Sequence, residues 1–204
     1  MTLAFELAPS EGCPFGLRLE AAYTVDGGGS PREGGLAWTV RATNTGDAAS
    51  PYGVCPHPYL VAGASPLDAL ELEIPAERFL EVTPDRLPPV EQRRVEGHDF
   101  DFWTPRAIGA TEIDHAFTGI GFDADGEAGV ALRDREHGTG VAMVWDRSCP
   151  WLQIHTGDKQ PPAPNRLGLA VEPMTCSPDA FNSGSDLVTL PPERSTPPDG
   201  ASVP

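Results

Sequence analysis

Apolar and polar residues alternate in short runs along most of this chain. Leu17, Leu19, Ala21 and Tyr23 fall on one face of the segment 15–25, with Arg18 and Glu20 opposite, which is the period-two pattern of a strand. After the turn-rich segment 26–35 the pattern resumes at Leu36, Trp38 and Val40 and stops at Asn44-Thr45-Gly46-Asp47. Two antiparallel strands joined by a loop are predicted. Leu70, Leu72 and Ile74 alternate with Glu71 and Glu73, and residues 79–82 continue the register beyond Pro75, which predicts a second pair. Residues 83–111 are rich in Pro, Asp, Glu and Arg with weak periodicity and read as a long surface connection. Residues 130–135 and 141–146 flank Glu136-His137-Gly138-Thr139-Gly140, a hairpin signal with glycines where positive φ is needed. Two further short strands, 152–156 and 169–172, enclose a Pro-rich loop at 159–165. No repeat and no helix is evident, so the expected fold is all-β, a two-sheet sandwich with long loops on one side. Residues 1–190 would form its one domain, and the Pro-rich tail 191–204, which lacks apolar alternation, is expected to be disordered.

Composition supports this and narrows the function. Twenty-two Gly and 23 Pro in 204 residues leave little room for long helices. A formal net charge of −16 would repel nucleic acid and anionic membrane surfaces, so a neutral or cationic small molecule is the favoured partner. Cys13, Cys55, Cys149 and Cys176 stand far apart, with no CxxC pair and no His at zinc-ligand spacing, and read as free thiols with no metal. No basic segment followed by an apolar run opens the chain, and no apolar stretch reaches the roughly 18 residues a bilayer crossing needs. The reduced cytoplasm is the expected location. No P-loop, no dinucleotide GxGxxG, no HExxH and no GxSxG occurs, which argues against nucleotide, zinc-protease and α/β-hydrolase chemistry.

What remains as candidate chemistry is carboxylates, imidazoles and aromatics. His57 lies in Pro51-Tyr-Gly-Val-Cys-Pro-His-Pro-Tyr-Leu60, where two prolines fix the backbone and Tyr59 can pack beside the ring. A rigid imidazole suits a general acid, although these ten residues alone fit a loop His bonded to a backbone carbonyl more readily. Glu172 follows the apolar run Leu167-Gly-Leu-Ala-Val171 and precedes Pro173, so its carboxylate would emerge where a strand leaves the sheet. Partial burial there would raise its pKa and make it a base near neutral pH, whereas a sheet-edge Glu in solvent would do nothing. Asp114 in Ile113-Asp-His-Ala-Phe117 could hold two sugar hydroxyls, or simply form a turn. Trp151 and Gln153 alternate with Leu152, so both point to one face, as a stacking platform with an amide beside it or as core Trp and surface Gln. His98 and His137, among charged residues, look like solvated loop positions.

Taken in order, Asn44-Thr-Gly-Asp47, Pro51-Tyr-Gly-Val54, His57-Pro-Tyr-Leu60, Ile113-Asp-His-Ala-Phe117, Leu152-Gln-Ile-His-Thr156, Gly168-Leu-Ala-Val-Glu-Pro-Met-Thr175 and Pro178-Asp-Ala-Phe-Asn182 resemble the aldose 1-epimerase (galactose mutarotase) family, in its C-terminal two-thirds. The resemblance implies a β-supersandwich, N-terminally truncated here, and an enzyme without a cofactor that interconverts the α and β anomers of a free aldohexose such as glucose or galactose. It makes His57 the general acid toward the ring oxygen, Glu172 the general base toward the anomeric hydroxyl, and Asp114 a ligand of sugar hydroxyls. Tyr59, Trp151 and Gln153 would complete the substrate site. The family's N-terminal third, with its substrate-binding Arg and second His, has no match here, so a catalytically impaired sugar-binding remnant is the alternative. Cys55 stands where Gly is common. An epimerase of phosphorylated hexose fits less well, because no Arg or Lys clusters around the motif segments.

Overall fold

The computed structural model describes residues 1–27, 34–83, 91–192 and the strand backbone of 199–203. Alternation along the chain becomes sixteen strands among the described residues. One sheet runs β1 (Thr2–Leu7), β2 (Leu17–Gly27), β3 (Gly34–Asn44), β16 (Asp199–Val203), β12 (Thr139–Asp146), β11 (Glu127–Asp134), β6 (Glu71–Glu73) and β9 (Arg106–Ala107). The second runs β5 (Tyr59–Leu60), β14 (Leu169–Met174), β13 (Trp151–His155), β10 (Asp114–Ile120), β7 (Ala76–Glu81) and β8 (Glu91–Arg94). A small two-stranded sheet joins β4 (Ser50–Tyr52) to β15 (Val188–Leu190), and one short helix, α1 (Ala180–Ser183), follows β14. Every strand pair with a described register is antiparallel.

The main core lies between the two large sheets. Leu72, Val130, Leu132, Met143 and Trp145 enter it from the eight-stranded sheet; Phe79, Phe117, Leu152, Ile154, Leu169 and Val171 enter from the six-stranded one. Because neighbouring side chains on a strand point to opposite faces, burying Leu152, Ile154, Leu169 and Val171 forces Gln153, His155, Ala170 and Glu172 onto the outer face of the six-stranded sheet. That face carries the site. On β1 and β2 the apolar side chains of Leu3, Phe5 and Val25 are exposed.

Several expectations change in detail. The runs around Leu72 and Phe79 are strands, but they do not pair: β6 belongs to the eight-stranded sheet and β7 to the six-stranded one. A period-two pattern reveals a strand and is silent about its neighbour. The segment 83–111 is more than a surface connection, since it supplies β8 and β9 and buries Val95, Phe100, Phe102 and Ile108; residues 84–90 of it lie outside the described residues. Within the tail 191–204, residues 199–203 form β16 between β3 and β12, while 193–198 and 204 lie outside the described residues. An inserted strand is held by backbone groups on both edges, so it needs no apolar alternation to declare it.

Candidate active site

Glu172 sits inside β14, not at its end: the strand continues through Pro173, paired with Leu152, to Met174, paired with Trp151. Pro173 is tolerated for a local reason. The Val171 amide donates to the Pro58 carbonyl (3.3 Å) and the Thr175 amide to the Val54 carbonyl (3.2 Å), so residue 173 lies between these two anchors, where Pro has no N–H to give. Between the anchors the chain 54–58 arches away from the strand, pinned also by the Val54 amide donating to Thr175 Oγ1 at 2.9 Å. The arch carries Cys55 and His57. Gly53 at its foot approaches Cys176 so closely that a Cβ would lie 2.6 Å from Sγ.

The arch brings both side chains onto one carboxylate. His57 Nε2 is 3.3 Å from Glu172 Oε1, and the Cys55 thiol donates to Oε2 at 3.4 Å. Glu172 is nearly enclosed, with 8% of its side chain exposed, whereas 57% of the His57 side chain is. Tyr59 backs the imidazole with its ring centroid 5.3 Å away and its plane inclined by 25°. Burial raises the Glu172 pKa above its ordinary 4.5; His57, the Cys55 thiol and His155 oppose that rise, and the Asp114 charge adds to it.

Asp114, the first residue of β10, sits two strands from Glu172 on the same face. Gln153, paired with Glu172 on one side, donates from Nε2 to Asp114 Oδ1 at 2.8 Å on the other. His155 is opposite Asp114 in the ladder, with Nδ1 3.8 Å from Oδ1 and 3.4 Å from the Ile113 carbonyl. Glu172, Gln153, Asp114 and His155 therefore form one polar array across three adjacent strands. Arg166 does not join the array: its guanidinium bonds Asp68 and Asp158 at 2.6 Å each and the carbonyls of Gly109 (2.9 Å) and Thr111 (3.3 Å).

Most of the sequence-predicted residues meet here: His57, Glu172, Asp114, Gln153 and Tyr59. Trp151 does not join them as a stacking platform. It shares the face of Gln153, as its parity requires, but it is 3% exposed, packed with Leu80, Ala116 and Met174, and tied through Nε1 to Asp186 Oδ2 at 2.7 Å. Parity fixes the face of a side chain and not what later covers it. His57 and Glu172 stand side by side. His155 was passed over, although its spacing of two from Gln153 on a strand placed it on the same face. His137 is exposed in the turn between β11 and β12, as expected, and also bonds through Nδ1 to the buried Asp134 at 2.9 Å.

The profile of the family described as aldose 1-epimerase matches residues 1–197. The chain belongs to the aldose 1-epimerase family. The expected restriction to the family's C-terminal two-thirds finds no support in that match. The uncharacterised protein YihR of Escherichia coli K12 is 33% identical over 190 residues, 93% of this chain and 56% of that protein, so the chain spans about half the length of that relative. A galactose mutarotase/aldose epimerase homologue from C. elegans superposes with a TM-score of 0.78 at 18% identity, covering 99% of this chain and 64% of that one. A galactose 1-epimerase from Lactobacillus acidophilus gives 0.73 at 18%, covering 99% and 60%. At such identities the superpositions establish the galactose mutarotase-like sandwich fold. No helix among the described residues is long and apolar enough to cross a membrane.

Proposed function

We propose that this family member is a mutarotase that interconverts the α and β anomers of a free aldohexose by acid–base ring opening, with Glu172 as base and His57 as acid. The contact of 3.3 Å between His57 Nε2 and Glu172 Oε1 is the observation that carries the reading. In a cyclic aldose the anomeric hydroxyl O1 and the ring oxygen O5 are bonded to the same carbon, so a base and an acid that touch each other can address both at once. Glu172 takes the O1 proton, the C1–O1 bond becomes a carbonyl, the C1–O5 bond breaks, and the proton on His57 Nε2 moves to O5. Rotation about C1–C2 presents the other face of the aldehyde. The same transfers in reverse then close the ring and restore both protonation states, so no net proton or electron is needed.

Gln153 and Asp114 lie one and two strands along the sheet face from Glu172 and are suited to hold hydroxyls remote from C1, with Tyr59 at the rim. The side chains in contact with the Glu172 carboxylate are His57 and Cys55, neither of them a Lys or an Arg, which fits a neutral hexose better than a phosphorylated one. Four free cysteines fit a reducing compartment, and we place the protein in the cytoplasm on that ground. Polarimetry of freshly dissolved α-D-glucose and α-D-galactose tests the reading. Acceleration over buffer that is lost in His57→Ala and Glu172→Gln is the expected result. Sugar binding with anomer exchange no faster than buffer would replace it with a sugar-binding module.

A further inference from the structure

The Glu172 carboxylate has two oxygens, and only one of them faces His57. The other is occupied by a residue that the reaction does not need: Cys55 Sγ lies 3.4 Å from Oε2, two residues before His57 on the same arch. We propose that Cys55 is a positioning residue for Glu172, whose thiol donates to Oε2 and thereby leaves Oε1, the oxygen shared with His57, as the one that exchanges protons with the sugar. This rests on the reading of Glu172 as general base.

Three observations support it. The arch is anchored at both ends on β14 itself, through Val54 and Thr175 and through Pro58 and Val171, so the Cys55–Glu172 distance is set by backbone hydrogen bonds and not by a free loop. Burial first, and then the Glu172 charge and its hydrogen bond, push the Cys55 thiol far above its ordinary 9.0, with smaller contributions from Cys149 and Cys176. Beside the Glu172 carboxylate the thiol is thus held in its S–H form, as a donor. The groups facing Glu172 are His57 and Cys55 from the arch, Asp114 from β10 and His155 from β13. Of these, Cys55 supplies the donor to Oε2. A single weak donor there also opposes the rise in pKa that burial imposes, keeping the base ionised to lower pH.

The test compares wild type, Cys55→Ala and Cys55→Ser by two readouts. One is the titration of the Glu172 carboxyl followed by 13C NMR, with its signal assigned by its loss in Glu172→Gln. The other is the pH profile of kcat/KM for mutarotation. Cys55→Ala should move the Glu172 midpoint upward and lower kcat/KM on the acid limb by roughly fivefold, the factor that corresponds to one net hydrogen bond. Cys55→Ser, which keeps a donor, should return both toward wild type. Cys55→Val, similar in volume and without a donor, replaces the alanine variant if that one does not fold. An unchanged Glu172 titration in the variant lacking a donor overturns the proposal, as does a serine variant that behaves like alanine. A Cys55-dependent titration without mutarotation in any protein would instead support the contact and remove Glu172's role as catalytic base.

Discussion

Replacing Glu172 by Gln is expected to make the protein more stable at neutral pH while disabling it. The strand residues around Glu172, from Leu169 to Met174, are all buried, and the carboxylate itself has 8% of its side chain exposed. Ionising it there is opposed by burial, and its two contacts are a thiol and an imidazole more than half exposed to solvent, neither as effective as a buried guanidinium would be. The sign follows from linkage. Below pH 4.5 the group is protonated folded and unfolded alike; as pH rises the unfolded chain ionises first, because the folded pKa is raised, and stability falls until the folded pKa is passed. Glu172→Gln removes that fall while keeping the shape and an oxygen for the Cys55 thiol.

A gain of about 1 kcal/mol at pH 7, the size of a modest imbalance between a buried polar group and its partners, corresponds to a Tm increase of roughly 2–4 °C for a chain of this length. Loss of the base should lower kcat by roughly 10²- to 10⁴-fold. Thermal unfolding of both proteins from pH 4 to pH 8, with polarimetry on the same samples, checks this. The difference in Tm should be near zero at pH 4 and grow with pH. A Glu172→Gln protein that is less stable at pH 7, or a difference that does not change with pH, would refute the argument that burial dominates at this site.

Three other outcomes are expected. Asp114→Asn should raise KM roughly tenfold with a smaller change in kcat, because a charge-assisted hydrogen bond to substrate would be weakened in ground and transition states alike; initial-rate polarimetry separates the two constants. Leu152→Ala, at a fully buried position between the sheets, should destabilise by roughly 3 kcal/mol and lower Tm by roughly 6–12 °C, read from thermal unfolding. Burial pushes the Asp134 carboxyl up, but bonds from the side chain and amide of His137 and from Ser65 overcome this and hold it at about 2, so stability from this group is complete above pH 3.8 and lost as pH falls toward 2. Urea unfolding of Asp134→Asn should therefore show destabilisation relative to wild type at pH 5 that diminishes by pH 2.

The strands were legible where one face is core and the other solvent. β2, β3, β11 and β12 follow from the alternation of Leu17 to Tyr23, Leu36 to Val40, and the two runs around Gly138, whose φ of +67° is the turn conformation that glycine favours. β10 was missed as a strand because Asp114-His115 opens it with two polar residues; Asp114 is polar because it faces the site, while His115, on the opposite face, packs against the rings of Phe79 and Phe100. The depth of Trp151 was not legible either, since the residue that covers it, Asp186, is 35 residues away. The pairing of Cys55 with Glu172 spans 117 residues and depends on an arch that no local pattern encodes. What did mark Glu172 was incongruity: a carboxylate between Val171 and Pro173 in an apolar run calls for a partner, and the structure supplies two.

The division of the site between a strand and an arch follows from what each partner must do. A base that works near neutral pH needs a carboxylate kept from water, and the interior of a six-stranded sheet provides that only at a position flanked by core residues on the same strand, as Glu172 is by Val171 and Pro173. An acid held in the same enclosure would lose its charged form to desolvation, so it belongs on a segment that reaches the carboxylate from outside while remaining in contact with solvent. The arch 54–58 meets both conditions, bound to β14 at its two ends and exposing His57 between them. If Glu172 and His57 act as proposed, the position of Pro173 opposite the arch's crown serves that contact, although the ring touches no reacting atom.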